Sequence, residues 1–155
     1  MTKRDRASGT RGRGRPGIWL ALPFLVAPLA AAGPATPPPP GHPIVGVWRW
    51  SLPNGCTETY HYRPDGTALA ASGKETTESR YTVAPLAAAN GGYAVASEVV
   101  TGNGRPDCEG KVTKAGSGSK VHVFFSAGRA QMMMCFDAAG RQCLGPLTRI
   151  DGDPI

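Results

Sequence analysis

The stretch IVGVWRWSL, from Ile44 to Leu52, reads as a β-strand. It alternates, with Ile44, Gly46, Trp48, Trp50 and Leu52 on one face, and a period of two in aromatic and β-branched residues is the strand signal. Pro53-Asn54-Gly55 turns the chain into a second strand, Cys56 to Tyr62, with Glu58, Tyr60 and Tyr62 on one face. Pro64-Asp65-Gly66 is a strong hairpin turn, since Pro presets φ and Gly takes the left-handed position. Outward from this hairpin the same pattern recurs in Thr67 to Ala71, Thr77 to Val83, Tyr93 to Val100, Lys120 to Ser126, Ala130 to Phe136 and Cys143 to Ile150. Thr101 to Ser119, rich in Gly, Asn, Asp and Ser, reads as a long loop with room for a short strand at Lys111 to Thr113. No segment of about 12 residues carries convincing helical periodicity. The fold class is therefore all-β, a single antiparallel meander of about eight strands. Such a meander closes, or nearly closes, into a barrel to remove its edges; a two-sheet sandwich is the alternative.

The domain has a leader and a tail ahead of it. Residues 1–32 combine a basic segment, the uncharged apolar run Ile18 to Ala32 and the small-residue site Ala30-Ala31-Ala32, the pattern of a secretory signal peptide. The apolar run falls short of the roughly 20 residues that span a bilayer, and Pro23 and Pro28 interrupt it. The expected membrane contact is thus the signal before cleavage, and the expected location is periplasmic or secreted. Residues 33–43 form a Pro-rich tail, with Pro37 to Pro40 unbroken; such a run is extended and reads as a spacer. Residues 43–150 are the folded domain, a length that suits one core.

Charge excludes one class of partner. The formal net charge is +6, but six of the 17 basic residues and one of the 11 acidic ones precede Gly33. The remainder is nearly balanced, and its basic residues are scattered without interleaved aromatics. It lacks the footprint that nucleic-acid binding needs.

All four cysteines, Cys56, Cys108, Cys135 and Cys143, lie in the domain. An even count in an exported chain reads as two disulfides, whereas a metal site needs closely spaced pairs that are missing here. Alternating strand directions bring the four to one rim. Two pairings fit. Barrel closure sets the last strand beside the first and favours Cys56–Cys143 with Cys108–Cys135. A hairpin closed by Asp137 and Arg141 favours Cys135–Cys143 as a hydrogen-bonded pair, about 5.5 Å between Cα atoms, with Cys56–Cys108. Closure tips the balance to the first.

Trp50, Glu58, Tyr60, Tyr62, Tyr81 and Met133 are the candidate interior-lining residues. Glu58 shares parity with Tyr60 and Tyr62, and an inward carboxylate needs a partner or a raised pKa; Arg149 has the parity to serve. Trp48, with Ile44, plugs the barrel floor, and Gly46 permits a close approach there. His61 and His122 face solvent. Strands six and seven are apolar on both faces, so Phe124, Met132, Met134 and Phe136 form either an exposed patch or one covered by a loop. No nucleophile–base arrangement, G-x-S-x-G or glycine-rich turn into a helix is present, so the chain reads as a non-enzyme without cofactor.

Gly46-Val47-Trp48 resembles the G-x-W opening of lipocalins and related small barrels. Thr59 to Thr67 is similar to the strand and Asp-Gly turn of bacterial lipocalin-like domains, and with Cys143-Leu144-Gly145-Pro146-Leu147 the domain looks like a group of exported proteobacterial proteins. The resemblance implies a cupped barrel holding an apolar ligand, with no catalytic residue carried over. Exported bacterial protease inhibitors also open a small barrel with G-x-W. Two functions are thus expected: a carrier binding a small apolar ligand in its interior, or a protein-binding module of the cell envelope, such as a protease inhibitor. A hollow interior favours the first and a filled one the second.

Overall fold

The computed structural model of the protein describes residues 37–150. The leader at 1–32 and the first tail residues lie outside them. The described residues form eight strands: β1 (Gly46–Ser51), β2 (Thr57–Tyr62), β3 (Thr67–Ser72), β4 (Glu75–Val83), β5 (Tyr93–Gly102), β6 (Gly118–Phe125), β7 (Gln131–Cys135) and β8 (Cys143–Ile150). They pair in chain order, all antiparallel, and β8 returns to β1 to close a barrel. No helix among the described residues is long and apolar enough to cross a membrane.

The registers set which side chains share the interior. Trp48 pairs with Tyr60 and Trp50 with Glu58; Tyr60 and Tyr62 pair in turn with Ala70 and Ala68. Across β2 and β3 the tyrosine rings thus face small neighbours, the alternation that fills a tapering barrel. A register shift at Glu78/Ser79 interrupts the β4–β5 ladder. Beyond it Tyr81 points inward and is 1% exposed. On the far wall Val123 pairs with Met134 and Phe125 with Met132. Ile44, Trp48, Val123, Met132 and Leu147 are fully buried in one core cluster with Tyr62 and Tyr81. The seam is short: β1 pairs with β8 only through Val47, Trp48 and Arg49. Further along β8, Pro146 has no N–H to offer a neighbouring strand.

Three expectations are corrected. Lys111 to Thr113 is not a strand. β1 starts at Gly46, because Ile44 sits in the turn closed by Val45 N–H to His42 O (3.1 Å); its side chain still enters the core. The tail is not a free spacer from Pro38 onward, since Pro38 and His42 are buried.

Candidate functional site

Five of the six expected lining residues share the inner face, but they are occupied with one another. Tyr62 and Tyr81 meet edge to face at 5.0 Å, and the Tyr81 hydroxyl donates to Arg63 O at 2.7 Å. Burial pushes the Tyr62 hydroxyl up to about 12. Tyr60 donates to Glu58 Oε2 at 2.5 Å, and Ser72 Oγ donates to Glu58 Oε1 at 2.7 Å. Desolvation, and then that carboxylate, hold the Tyr60 hydroxyl well above its ordinary value. Glu58 is therefore satisfied by two hydroxyls, and Arg149 is not its partner. Trp50 packs at the margin of the core. The sixth residue, Met133, pairs with Phe124 on the outer face and does not line the interior. Its strand is apolar on both faces, so period alone could not choose; the register His122 with Cys135 does.

The rim carrying the β1–β2, β3–β4 and β5–β6 turns is covered. The β5–β6 loop lies across it, because its backbone reaches the inward-facing Ser72 and Glu75. Cys108 N–H donates to Ser72 Oγ at 3.1 Å. The buried Glu75 carboxylate accepts Thr113 N–H at 2.5 Å and Thr113 Oγ1 at 3.0 Å. Lys74 N–H donates to Pro106 O at 3.1 Å, and Asn103 Nδ2 to Lys74 O at 2.9 Å. A disulfide locks this cover, Cys56 to Cys108 with Cα atoms 5.8 Å apart. The second bridge joins Cys135 to Cys143. The pairing favoured by closure is thus overturned: the loop folds back over β2 and β3 and delivers Cys108 to Cys56. Cys135 and Cys143 are also not the expected hydrogen-bonded pair. Their Cα atoms are 3.9 Å apart, and the neighbouring Phe136 N–H donates to Gln142 O at 2.8 Å, which leaves them the narrow site. Two disulfides fit an oxidising environment.

The opposite end is plugged. Trp48 Nε1 donates to Ile44 O at 2.8 Å, and the Arg149 guanidinium lies over the indole at 4.3 Å. Arg149 also donates to Pro43 O at 2.5 Å and Val45 O at 2.9 Å. A Cβ on Gly46, whose φ is +137°, would run into that guanidinium, so the close approach at Gly46 is made by a side chain. His42 sits edge to face with Tyr93 at 4.7 Å, and its Nδ1 accepts Ile44 N–H at 3.2 Å. Burial, opposed by the Ala84 backbone and aided by Arg129, holds the His42 pKa below its ordinary value. Beneath the tail an open cleft of about 880 Å³ runs between Pro37–Pro40, Pro64 and the β6–β7 turn at Gly128–Ala130.

The outer wall of β6 is covered by loops. Met132 and Met134 point inward, which removes them from the expected outer patch. Phe124 stays on the outer face beneath two glycines: a Cβ on Gly92 would meet its ring at 2.7 Å and one on Gly140 at 3.3 Å. The β4–β5 and β7–β8 loops that carry these glycines are joined by Asn90 Nδ2 to Ala138 O at 2.7 Å. They also carry the most exposed large apolar side chains of the described residues, Leu86 at 80% and Phe136 at 59%. His61 and His122 lie on the outer face, half-buried. Among the described residues no group of three His, Cys, Asp or Glu is placed to hold a metal ion. The joined loops and the tail cleft had no signal in the sequence, because each is made by segments far apart in the chain. No protein-family model, curated protein or solved structure is significantly similar to this chain.

Proposed function

We propose that the protein is a non-catalytic binding module of the cell envelope, delivered by residues 1–32 and engaging another protein through the joined β4–β5 and β7–β8 loops. The observation that carries this reading is the filled interior. Ile44, Trp48, Tyr81, Val123, Met132 and Leu147 are all at most 1% exposed, and a disulfide-tied loop crosses one rim while the tail plugs the other end. A carrier needs a cavity, typically about 300–1,000 Å³, lined by side chains that are free to meet the ligand. Here the inward rings and carboxylates already serve one another. The two most exposed large apolar side chains, Leu86 and Phe136, are on the joined loops, and exposed apolar groups on a braced scaffold are what a partner surface uses.

The test is site-specific photo-crosslinking in the native host. A benzophenone amino acid at position 86 is expected to give one discrete protein adduct, lost when Phe136→Ser is added. The same probe at Lys120, on the β6 wall, is expected to give none. Equal labelling from both positions, or no protein adduct from position 86, would overturn the reading.

A further inference from the structure

We infer that the cleft beneath the tail is a binding site for a small apolar carboxylate, with Arg129 as the group that reads the charge. The inference does not rest on the protein-binding proposal, since the cleft is separate from the joined loops. Its volume, about 880 Å³, lies in the range of small-molecule sites. Six of the residues lining it are prolines, and Val45 and Ala130 add to the apolar wall. Proline rings present rigid apolar faces that lose no rotamer freedom on contact.

Among the described residues the ionisable lining of the cleft is Arg129, Arg149 and His42, with no Asp or Glu. Arg149 is committed to Trp48 and to the Pro43 and Val45 carbonyls. His42 has its Nδ1 occupied by Ile44 N–H. Arg129 differs: the ion pairs of the described residues are Arg63–Glu78, Lys111–Glu109 and Arg141–Asp137, and none includes it. A guanidinium at the edge of an apolar cleft, in no ion pair among the described residues, suits a ligand carboxylate, which it can hold through two parallel hydrogen bonds.

The backbone makes a second argument. Twelve described residues have positive φ; eleven are glycine and the other is Arg129, at 55°. Glycine adopts this conformation without a Cβ penalty. The turn is held by Arg129 N–H to Ser126 O at 2.8 Å and by Arg149 Nε to Arg129 O at 3.2 Å. Neither bond uses the Arg129 side chain, so glycine would serve the fold at least as well. A strained residue whose side chain the fold does not use points to function.

The test is titration of the intact oxidised protein with 2-naphthoate and, in parallel, its neutral isostere 2-naphthamide, followed by calorimetry and by backbone amide NMR shifts. Naphthoate is expected to move the amides of Gly128, Arg129 and Ala130, and to bind at least about tenfold more tightly than the amide. Arg129→Gly is expected to weaken naphthoate by about the same factor while keeping or raising the melting temperature, which separates lost binding from lost folding. Equal binding of acid and amide, unchanged binding by Arg129→Gly, or no shift at millimolar naphthoate would overturn the inference. So would binding that appears only after deletion of residues 33–36, since the chain's own tail would then be the occupant.

Discussion

The Arg149 guanidinium lies 4.3 Å from the centre of the Trp48 indole and ties the last strand to the first and to the tail. Its donors reach Pro43 O, Val45 O and Arg129 O. One side chain from β8 therefore closes the seam, covers the floor tryptophan and satisfies carbonyls of a segment with no strand partner. Arg149→Leu keeps the stem but removes the cation and its donors. It is expected to destabilise the fold by about 3 kcal/mol, measured by urea denaturation. Gly46→Ala, with its Cβ aimed at the same guanidinium, is expected to be destabilising alone and about 1 kcal/mol less so in an Arg149→Ala background. Strictly additive effects would separate the two residues.

The His42 environment predicts a pH dependence. Its pKa is below 6.5 in the folded protein, chiefly through burial, and its Nδ1 accepts a backbone N–H, which a protonated ring cannot do. In the unfolded chain the ring binds a proton near its ordinary pKa. Between the two values the unfolded state holds more protons, so stability rises with pH. The contribution is full above 6.5 and is lost as pH falls through 6.5 towards the folded value. His42→Asn, which keeps a short acceptor for Ile44 N–H, is expected to flatten this slope between about pH 7.5 and pH 5.5 in urea titrations. An unchanged slope would place the pH dependence elsewhere.

The disulfides are expected to contribute unequally. Cys56 and Cys108 are 52 positions apart and Cys135 and Cys143 only 8. If a bridge acts by restricting the unfolded chain, paired Cys→Ser variants lose about 4 kcal/mol for the long loop and about 2.5 kcal/mol for the short one. The long bridge also holds the cover of the rim. Its loss is expected to speed amide exchange at position 108 and at Thr113 before the barrel amides, through local opening. Glu75→Ala, which removes the acceptor of both Thr113 bonds, is expected to speed exchange at Thr113 alone. Protection that falls uniformly over the barrel would contradict a locally hinged cover.

Strand positions were readable because half-buried strands advertise a period of two. The inward row Trp48, Trp50, Tyr60, Tyr62 and Tyr81 follows from it directly. The run Met132-Met133-Met134 defeats the same reading, since both faces of β7 are apolar: one is core, and the other faces the loop-covered wall around Phe124. The observed disulfide pairing was one of the two that fit, but the choice between them was out of reach because the return of the β5–β6 loop is set by bonds to Ser72 and Glu75, not by any local pattern. The cleft and Arg129 were hidden for a related reason. A positive φ at a non-glycine residue leaves no mark on sequence, and the cleft forms only when the tail crosses the β6–β7 turn.

Phe124 and the glycines above it allow a last test of how the outer loops are braced. Gly92 has no room for a methyl group, its Cβ position lying 2.7 Å from the Phe124 ring. Gly92→Ala is expected to destabilise the protein by about 1–3 kcal/mol, because the ring is fixed on β6 and the loop must lift. Lifting it stretches the Asn90–Ala138 hydrogen bond that joins the two loops. The crosslink expected from position 86 should weaken in step with stability. Phe124→Ala is expected to destabilise by about 3 kcal/mol through the cavity it leaves under the loops. In that background Gly92→Ala should be neutral or favourable, since its methyl group enters the vacated space. Thermal melts of the two single variants and the double variant decide it. A double variant as unstable as the sum of the singles would show that the loops do not rest on the ring.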